Sequence, residues 1–168
     1  MNGKLVLVMV SLMLLHTSLK ADDNGDFCVI AGYGYYEALF AGIKYEGENK
    51  SRWQLGAGYN LNINNISYNS AFVVYQRALI QFKDNNLETG IAGKLIFWRQ
   101  SDKYLIWETL GVTPNAYLQY RINNKISSAL SVGPQFNINL NSERKNYQKT
   151  GWIKRFDFNF QITFAYVL

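Results

Sequence analysis

Apolar and polar residues alternate with a period of two along most of the chain. The clearest stretch is RFDFNFQITFAYVL, in which every second residue from Phe156 onward is large and apolar. These residues are Phe156, Phe158, Phe160, Ile162, Phe164, Tyr166 and Leu168. A period of two is the period of a β-strand whose two faces meet different surroundings. The pattern therefore predicts an amphipathic final strand with seven large side chains on one face.

Seven more strands are predicted upstream, separated by short clusters of Asn, Asp, Gly and Lys that are typical of turns. They span about 33–46, 52–61, 68–82, 87–99, 104–112, 116–122 and 126–140, with a turn near Thr113 and Pro114. Apolar residues do not recur at the helical spacing of three and four. Eight antiparallel strands with short connections favour an up-and-down meander closed into a barrel, because closure leaves no exposed sheet edge.

The N-terminus has the organisation of an export signal. Lys4 precedes an apolar run over residues 5–15, and the small residue Ala21 precedes the polar sequence DDNGD. An apolar run of this length is too short to span a bilayer as a helix. We therefore expect residues 1–21 to be a cleaved secretory signal peptide and residues 22–168 to form one barrel domain. The alternative is a buried N-terminal helix.

The alternation alone does not decide which face of the barrel points outward. A soluble lipid-binding barrel of the lipocalin type has an apolar interior, whereas a barrel in a membrane has an apolar exterior. The interior of an eight-stranded barrel is only wide enough to be filled by side chains, and the large face of the predicted strands would overfill it. We therefore expect the large face to point outward into lipid, which predicts an all-β fold: a single antiparallel up-and-down transmembrane β-barrel of eight strands.

Aromatic residues near the predicted strand ends fit the interfacial girdles of such a barrel, where an amphipathic ring meets both lipid and water. They are Tyr33, Tyr35, Trp53, Tyr59, Trp98, Tyr104, Trp152 and Tyr166. Some of them could instead be ordinary core aromatics.

The export signal, the eight-strand meander and the aromatic final strand resemble the small outer-membrane β-barrels of the OmpA/OmpX type. The resemblance covers residues 22–168 in pattern and contains no diagnostic motif. It implies a bacterial outer-membrane location and a last strand that acts as a signal for the barrel assembly machinery. In that class the last strand usually ends in Phe, and this chain ends in Leu168 with Tyr166 and Phe164 upstream.

Charged residues occur on the face that we expect to point into the lumen. They are Lys44, Glu46, Arg52, Arg77, Glu88, Lys94, Glu108, Arg121, Arg155 and Asp157. Because an unpaired charge in a barrel interior is costly, the favoured interpretation is a paired, hydrogen-bonded network that fills the lumen. The alternative is a polar pore or a catalytic cluster.

The sequence offers little for catalysis or metal binding. The only histidine is His16, inside the predicted signal peptide, and the only cysteine is Cys28. A hydroxyl nucleophile needs an adjacent base, and the outer-membrane lipid A deacylases and palmitoyltransferases depend on a histidine. We therefore expect no enzyme activity, no cofactor and no metal site. Removal of Lys4 and Lys20 leaves 15 basic and 12 acidic residues, an excess too small and too scattered to indicate nucleic-acid binding.

The expected function is a non-enzymatic barrel with a structural, interaction or weak porin-like role in the envelope. The expected partners are outer-membrane lipid, lipopolysaccharide and the assembly machinery; the sequence identifies no other ligand. The loop at 141–151 carries Arg144, Lys145 and Lys149, which could contact lipopolysaccharide phosphates or could simply be solvated. The alternatives are a soluble secreted lipid-binding barrel and a lipid A-modifying enzyme.

Overall fold

The computed structural model describes residues 25–47, 50–60, 67–82, 86–101, 105–144 and 156–168, so the predicted signal peptide lies outside the described residues. Eight strands lie within these ranges. They are β1 (Asp26–Gly34), β2 (Ala38–Glu46), β3 (Ser51–Asn60), β4 (Ser67–Gln81), β5 (Leu87–Ser101), β6 (Leu105–Arg121), β7 (Ile126–Arg144) and β8 (Phe156–Val167). No helix among these residues is long and apolar enough to cross a membrane.

The strands form one closed barrel in sequence order. Each strand is antiparallel to the next, and β8 pairs back onto β1 in a register that runs from Cys28 opposite Val167 to Gly34 opposite Gln161. The predicted fold class is therefore confirmed. The even number of strands brings the start of β1 and the end of β8 together at one end of the barrel, which we call the terminal end. The opposite end, which contains the β1–β2 turn, is the loop end.

Two predictions of strand boundaries were wrong. One predicted strand is two strands and two predicted strands are one, so the total of eight is unchanged. Residues 33–46 are not one strand, because a tight turn at 35–37 separates β1 from β2, and Ala38 takes a left-handed φ of 56°. The tyrosines at this turn continue the apolar alternation and hide it. Conversely, β6 runs through Pro114 without a turn, with only a local gap in its pairing to β7 between Val112 and Ala116.

Side chains alternate between the lumen and the outer surface, as the sequence pattern predicts. In β8, Asn159, Gln161 and Thr163 are buried in the lumen. All seven predicted lipid-facing residues of the C-terminal stretch are exposed on the other face. Thirty large apolar or aromatic side chains of the described residues are exposed in total, which gives the barrel an apolar outer surface.

Strand β4 does not direct the same parity of residues into the lumen along its whole length. Phe72 and Val74 point into the lumen together with Gln76, whereas Ile80 is exposed. The pairing with β5 shifts between Ala78 and Ile80, which is the sign of a β-bulge. Because one extra residue reverses the alternation, no single parity describes the whole strand.

Large side chains fit inside this narrow barrel where a glycine lies on the neighbouring strand. Phe40 lies opposite Gly32, and Phe72 lies opposite Gly56. A Cβ atom added to either glycine would lie within 2.6 Å of the phenylalanine ring. The rings therefore lie flat over glycines, and the two phenylalanines make an edge-to-face contact at 5.1 Å.

Candidate functional site: the barrel lumen

An ion-pair network lies in the lumen near the terminal end. The Arg52 guanidinium binds both oxygens of Glu88, with Nη2 donating to Oε2 at 2.8 Å. The Tyr117 hydroxyl donates to Glu88 Oε1 at 3.1 Å and accepts from Arg52 Nη1 at 3.1 Å. Glu46 lies 3.4 Å from Arg52 Nε and forms an ion pair with Lys44. These charges compensate one another inside the barrel, which a buried charge requires.

A second ion pair lies deeper, in the loop-end half of the lumen. Lys94 on β5 pairs with Glu37, and both side chains are completely buried. Lys94 Nζ also donates to Gln161 Oε1 on β8 at 3.4 Å. Glu37 belongs to the turn at 35–37 rather than to a strand. Strand parity therefore could not identify it from the sequence.

Tyr36 also enters the lumen from this turn. Its hydroxyl donates to Asp157 Oδ2 at 3.0 Å and accepts from Asn137 Nδ2 at 3.4 Å. Its ring packs against Trp98 with the centroids 5.8 Å apart, and Tyr68 stacks on Trp98 at the same distance. Together these side chains close the lumen above the Glu37 carboxylate.

Amide and hydroxyl side chains line the wall formed by β6, β7 and β8. Gln135 is the centre of this group: its Oε1 accepts from Asn159 at 2.9 Å and from Thr113 at 3.2 Å, and its Nε2 donates to Asn137 at 2.7 Å. The opposite wall, from β1 to β5, carries most of the buried apolar residues. They include Cys28, Ile30, Phe40, Phe72, Val74 and Ile96.

Half of the ten predicted lumen charges are in these two clusters: Lys44, Glu46, Arg52, Glu88 and Lys94. Arg121 lines a cavity of about 250 Å³ that opens at the terminal end, beside Lys50 and Asp26. Asp157 is partly buried and binds Tyr36. Arg155 lies outside the described residues.

The predicted lumen position was wrong for Arg77 and Glu108. Arg77 is exposed and pairs across the sheet with Ile91, which is an outward residue. It belongs to the strand whose parity a bulge disturbs. Glu108 is at a register shift of β6, and its carboxylate lies 3.6 Å from Arg99. Both members of that pair remain about one-third exposed, so it is a surface ion pair that contributes little to stability.

The structure describes six of the eight aromatic residues that the sequence assigns to interfacial girdles. Tyr33, Tyr35, Trp53, Tyr59 and Tyr166 are exposed on the outer surface, whereas Trp98 is buried in the lumen, so that assignment was wrong. Tyr104 and Trp152 lie outside the described residues.

A row of aromatic residues that the sequence pattern did not reveal crosses four strands near the terminal end. Phe27 pairs with Tyr45, Tyr45 with Trp53, and Trp53 with Tyr75, one residue on each of β1 to β4. The Phe27 and Tyr45 rings are 5.0 Å apart, and the Trp53 and Tyr75 rings are 4.8 Å apart. Only the cross-strand register brings these positions together. In outer-membrane barrels, aromatic residues near the strand ends form the interfacial girdles.

Metal ligation has no support in the described residues, among which no group of three or more His, Cys, Asp or Glu side chains could hold an ion. Cys28 is buried and is not in a disulfide. Of the predicted loop contacts, Arg144 is the last residue of β7, and Lys145 and Lys149 lie outside the described residues.

Comparison with known proteins shows similarity of fold. The N-terminal β-barrel domain of Pseudomonas aeruginosa OprF matches with a TM-score of 0.50 and 8% sequence identity, over 86% of this chain and 96% of that one. Acinetobacter baumannii CarO matches with a TM-score of 0.41 and 8% identity over 84% and 97% of the two chains. Acinetobacter baumannii CarO2 matches with 0.43 and 8% over 85% and 98%. No protein-family model and no curated protein sequence matches this chain.

Proposed function

We propose that the chain is a bacterial outer-membrane barrel protein with a non-enzymatic structural or interaction role in the envelope. The observation that carries the proposal is the arrangement of the two faces: apolar and aromatic residues cover the outside, whereas the inside holds the ion pairs and amides together with a smaller apolar cluster. Contiguous apolar surfaces of this extent are unusual on soluble proteins. A closed barrel has no unpaired strand edge, which is what a sheet in lipid requires.

A soluble lipid-binding barrel needs the opposite arrangement. Its ligand would occupy an apolar lumen, whereas the lumen here contains Lys44, Arg52, Glu88, Lys94 and Glu37 in ion pairs. A packed lumen also argues against a permanently open pore, since eight strands leave room for little beyond their own side chains. The role that remains is that of an envelope component that acts through its outer surface and its loops.

Fractionation of the producing cells tests the proposal. We expect the protein in the outer-membrane fraction, and we expect a band that shifts on mild SDS gels when the sample is heated. N-terminal sequencing of the recovered protein should begin near residue 22, which tests the signal peptide. Recovery as a detergent-free soluble monomer would exclude the proposal.

The lipopolysaccharide contact is a separate part of the proposal. Changing Arg144, Lys145 and Lys149 together to Gln should weaken binding of the purified barrel to lipopolysaccharide without altering the heat-dependent gel shift. A control triple variant with Lys in place of Arg144 and Arg in place of both lysines keeps the charge and should bind normally. Unchanged binding by the Gln variant would remove this contact from the proposal.

A further inference from the structure

One side of the lumen is lined by uncharged polar residues, and the other, from β1 to β5, carries the buried apolar residues together with Lys44, Arg52, Glu88 and Lys94. Uncharged polar side chains line the lumen on β6, β7 and β8: Gln119, Asn115 and Thr113 on β6, Ser131 and Gln135 on β7, and Thr163, Gln161 and Asn159 on β8, each strand given from the terminal end towards the loop end. We call this set the polar track. Such side chains can replace part of the hydration shell of a small ion, whereas the buried apolar residues of β1 to β5, such as Ile30, Phe72 and Val74, cannot.

The β1–β2 turn blocks the polar track. Connecting segments normally run over the protein surface, yet Tyr36 is only 9% exposed and Glu37 is completely buried. The turn contacts both walls of the lumen: the Glu37 carboxylate reaches Lys94 on β5, and the Tyr36 hydroxyl reaches Asp157 on β8. It therefore spans the lumen as a plug.

Glycines and backbone strain show that this inserted position is held by its contacts. A Cβ atom on Gly34 would lie 2.0 Å from Glu37 Oε2, and one on Gly58 would lie 1.8 Å from the Glu37 carbonyl oxygen. Ala38 takes a left-handed φ of 56°, a conformation that costs about 1–3 kcal/mol in a residue with a Cβ. The carbonyl oxygen of Glu37 accepts from Ser70 Oγ at 3.2 Å, and that of Tyr36 accepts from the Tyr68 hydroxyl. If the Glu37–Lys94 ion pair is lost, the weaker hydrogen bonds from Ser70 and Tyr68 remain to hold the turn against the backbone strain at Ala38.

We propose that the β1–β2 turn is a displaceable plug, and that its withdrawal opens the polar track to small inorganic anions. The proposal rests on the proposed function, because conduction requires a barrel that spans a membrane. When the turn leaves, Glu37 leaves with it and Lys94 stays on the barrel wall. Lys94, in the middle of β5, then lies uncompensated beside the neutral amide of Gln161, while Asp157 stays nearer the loop end without its bond from Tyr36. At the terminal end Arg121, Lys50 and Arg52 share a cavity with Asp26, Glu46 and Glu88. The charge in the middle of the lumen is therefore that of Lys94, and it is positive. Selective passage of anions such as chloride follows from that sign of charge.

Single-channel recording in planar bilayers bathed in KCl tests the plug. The purified wild-type protein should be closed most of the time. Glu37→Gln should raise the open fraction about ten-fold or more, because the ion pair to Lys94 is lost. Gly58→Ala should raise it as well, since its added methyl group displaces the turn without changing any charge. Glu108→Gln is the matched control: it removes a carboxylate from a surface ion pair and should behave as wild type.

The charge of Lys94 gives a second readout. In a KCl gradient the reversal potential of Glu37→Gln should show anion preference, and the double variant Glu37→Gln with Lys94→Gln should lose it. The swapped variant Glu37→Lys with Lys94→Glu restores a pair and should be mostly closed. The heat-dependent gel shift identifies the variants that are folded and can be recorded. If Glu37→Gln folds poorly, Gly58→Ala and the swapped variant decide the question.

Three results would overturn the plug. The first is wild-type conductance in both Glu37→Gln and Gly58→Ala when each is folded and inserted. The second is an equal rise in the control Glu108→Gln, and the third is a cation preference in the open state. Co-flotation of the protein with phospholipid vesicles separates this proposal from the previous one. A protein that inserts but shows any of these results contradicts the plug alone, whereas a protein that does not insert contradicts membrane spanning itself.

Discussion

A lysine in the middle of β8 should cost far more than the same lysine at the barrel rim. Ile162 is 40% exposed on the outer face and lies opposite Tyr33 on β1 and Leu130 on β7. It is six residues from Phe156 and five from Val167. With a rise of about 3.3 Å per residue and a strand tilt of about 40°, it lies roughly 13–15 Å from either end of the strand along the membrane normal.

In the proposed membrane-spanning barrel, Ile162 therefore lies close to the midplane of the hydrocarbon layer, and its distance from either interface exceeds the reach of a lysine side chain. Ile162→Lys should therefore destabilise the folded barrel by about 2–4 kcal/mol. Ile122 is the matched control, because it is 53% exposed and lies in the β6–β7 connection at the rim. Ile122→Lys should cost only about 0–1 kcal/mol.

Urea unfolding of both variants in phospholipid vesicles measures the difference, with the heat-dependent gel band as the readout of folding. A water-facing outer surface would make the two substitutions equivalent, each within about 0.5 kcal/mol of wild type. Equal stabilities would therefore refute the assignment of the large apolar face to lipid.

Three further results are expected. Gly42→Ala should destabilise by about 1–3 kcal/mol, because the added Cβ would lie 2.1 Å from a backbone oxygen, whereas Gly93→Ala, where nothing lies within 4 Å, should be neutral in the same urea titration. Arg52→Met should cost about 3–5 kcal/mol because it leaves the Glu88 carboxylate without its ion-pair partner, while Glu46 keeps Lys44; a loss below about 1 kcal/mol would show that the network is not desolvated. Cys28 is 1% exposed, so maleimide should label the protein only after denaturation, and labelling of the folded barrel at the rate of a free thiol would contradict its position in the lumen.

The fold could be predicted from the sequence because two-residue alternation is a local property that also selects the outward face. The ends of the strands were harder to predict from the sequence. The turn at 35–37 consists of Tyr35, Tyr36 and Glu37, none of which is a typical turn residue. Proline usually marks a turn or the end of a strand, but Pro114 lies inside β6, where the pairing with β7 is interrupted.

The residues of the lumen could be predicted only in part. The face on which a strand residue lies can be assigned only if the positions of the bulges, which reverse the alternation, are known. Arg52 and Lys94 lie on regular stretches of strand, and the alternation placed them inside. Arg77 lies two residues before the β4 bulge. The large apolar residues Phe72 and Val74 of that strand point into the lumen, although large apolar residues were expected to point outward. Glu37 lies in a turn, so strand alternation assigned it to neither face. A tryptophan such as Trp98 is equally compatible with a girdle and with a lumen. These positions depend on cross-strand register, which a single sequence does not specify.

The seam between β1 and β8, where the barrel closes, has a consequence for the rates of folding and unfolding. It is held by seven residue pairs, against fifteen between β5 and β6, and it joins segments that are more than 120 residues apart in the chain. Bringing such distant segments together costs the most chain entropy of any pairing in the barrel, so it is expected to be the slow step of folding. The same short seam is the first to part when the barrel opens. The lifetime of the folded protein should therefore depend on the backbone contacts of Cys28–Gly34 more than on any of the larger interfaces.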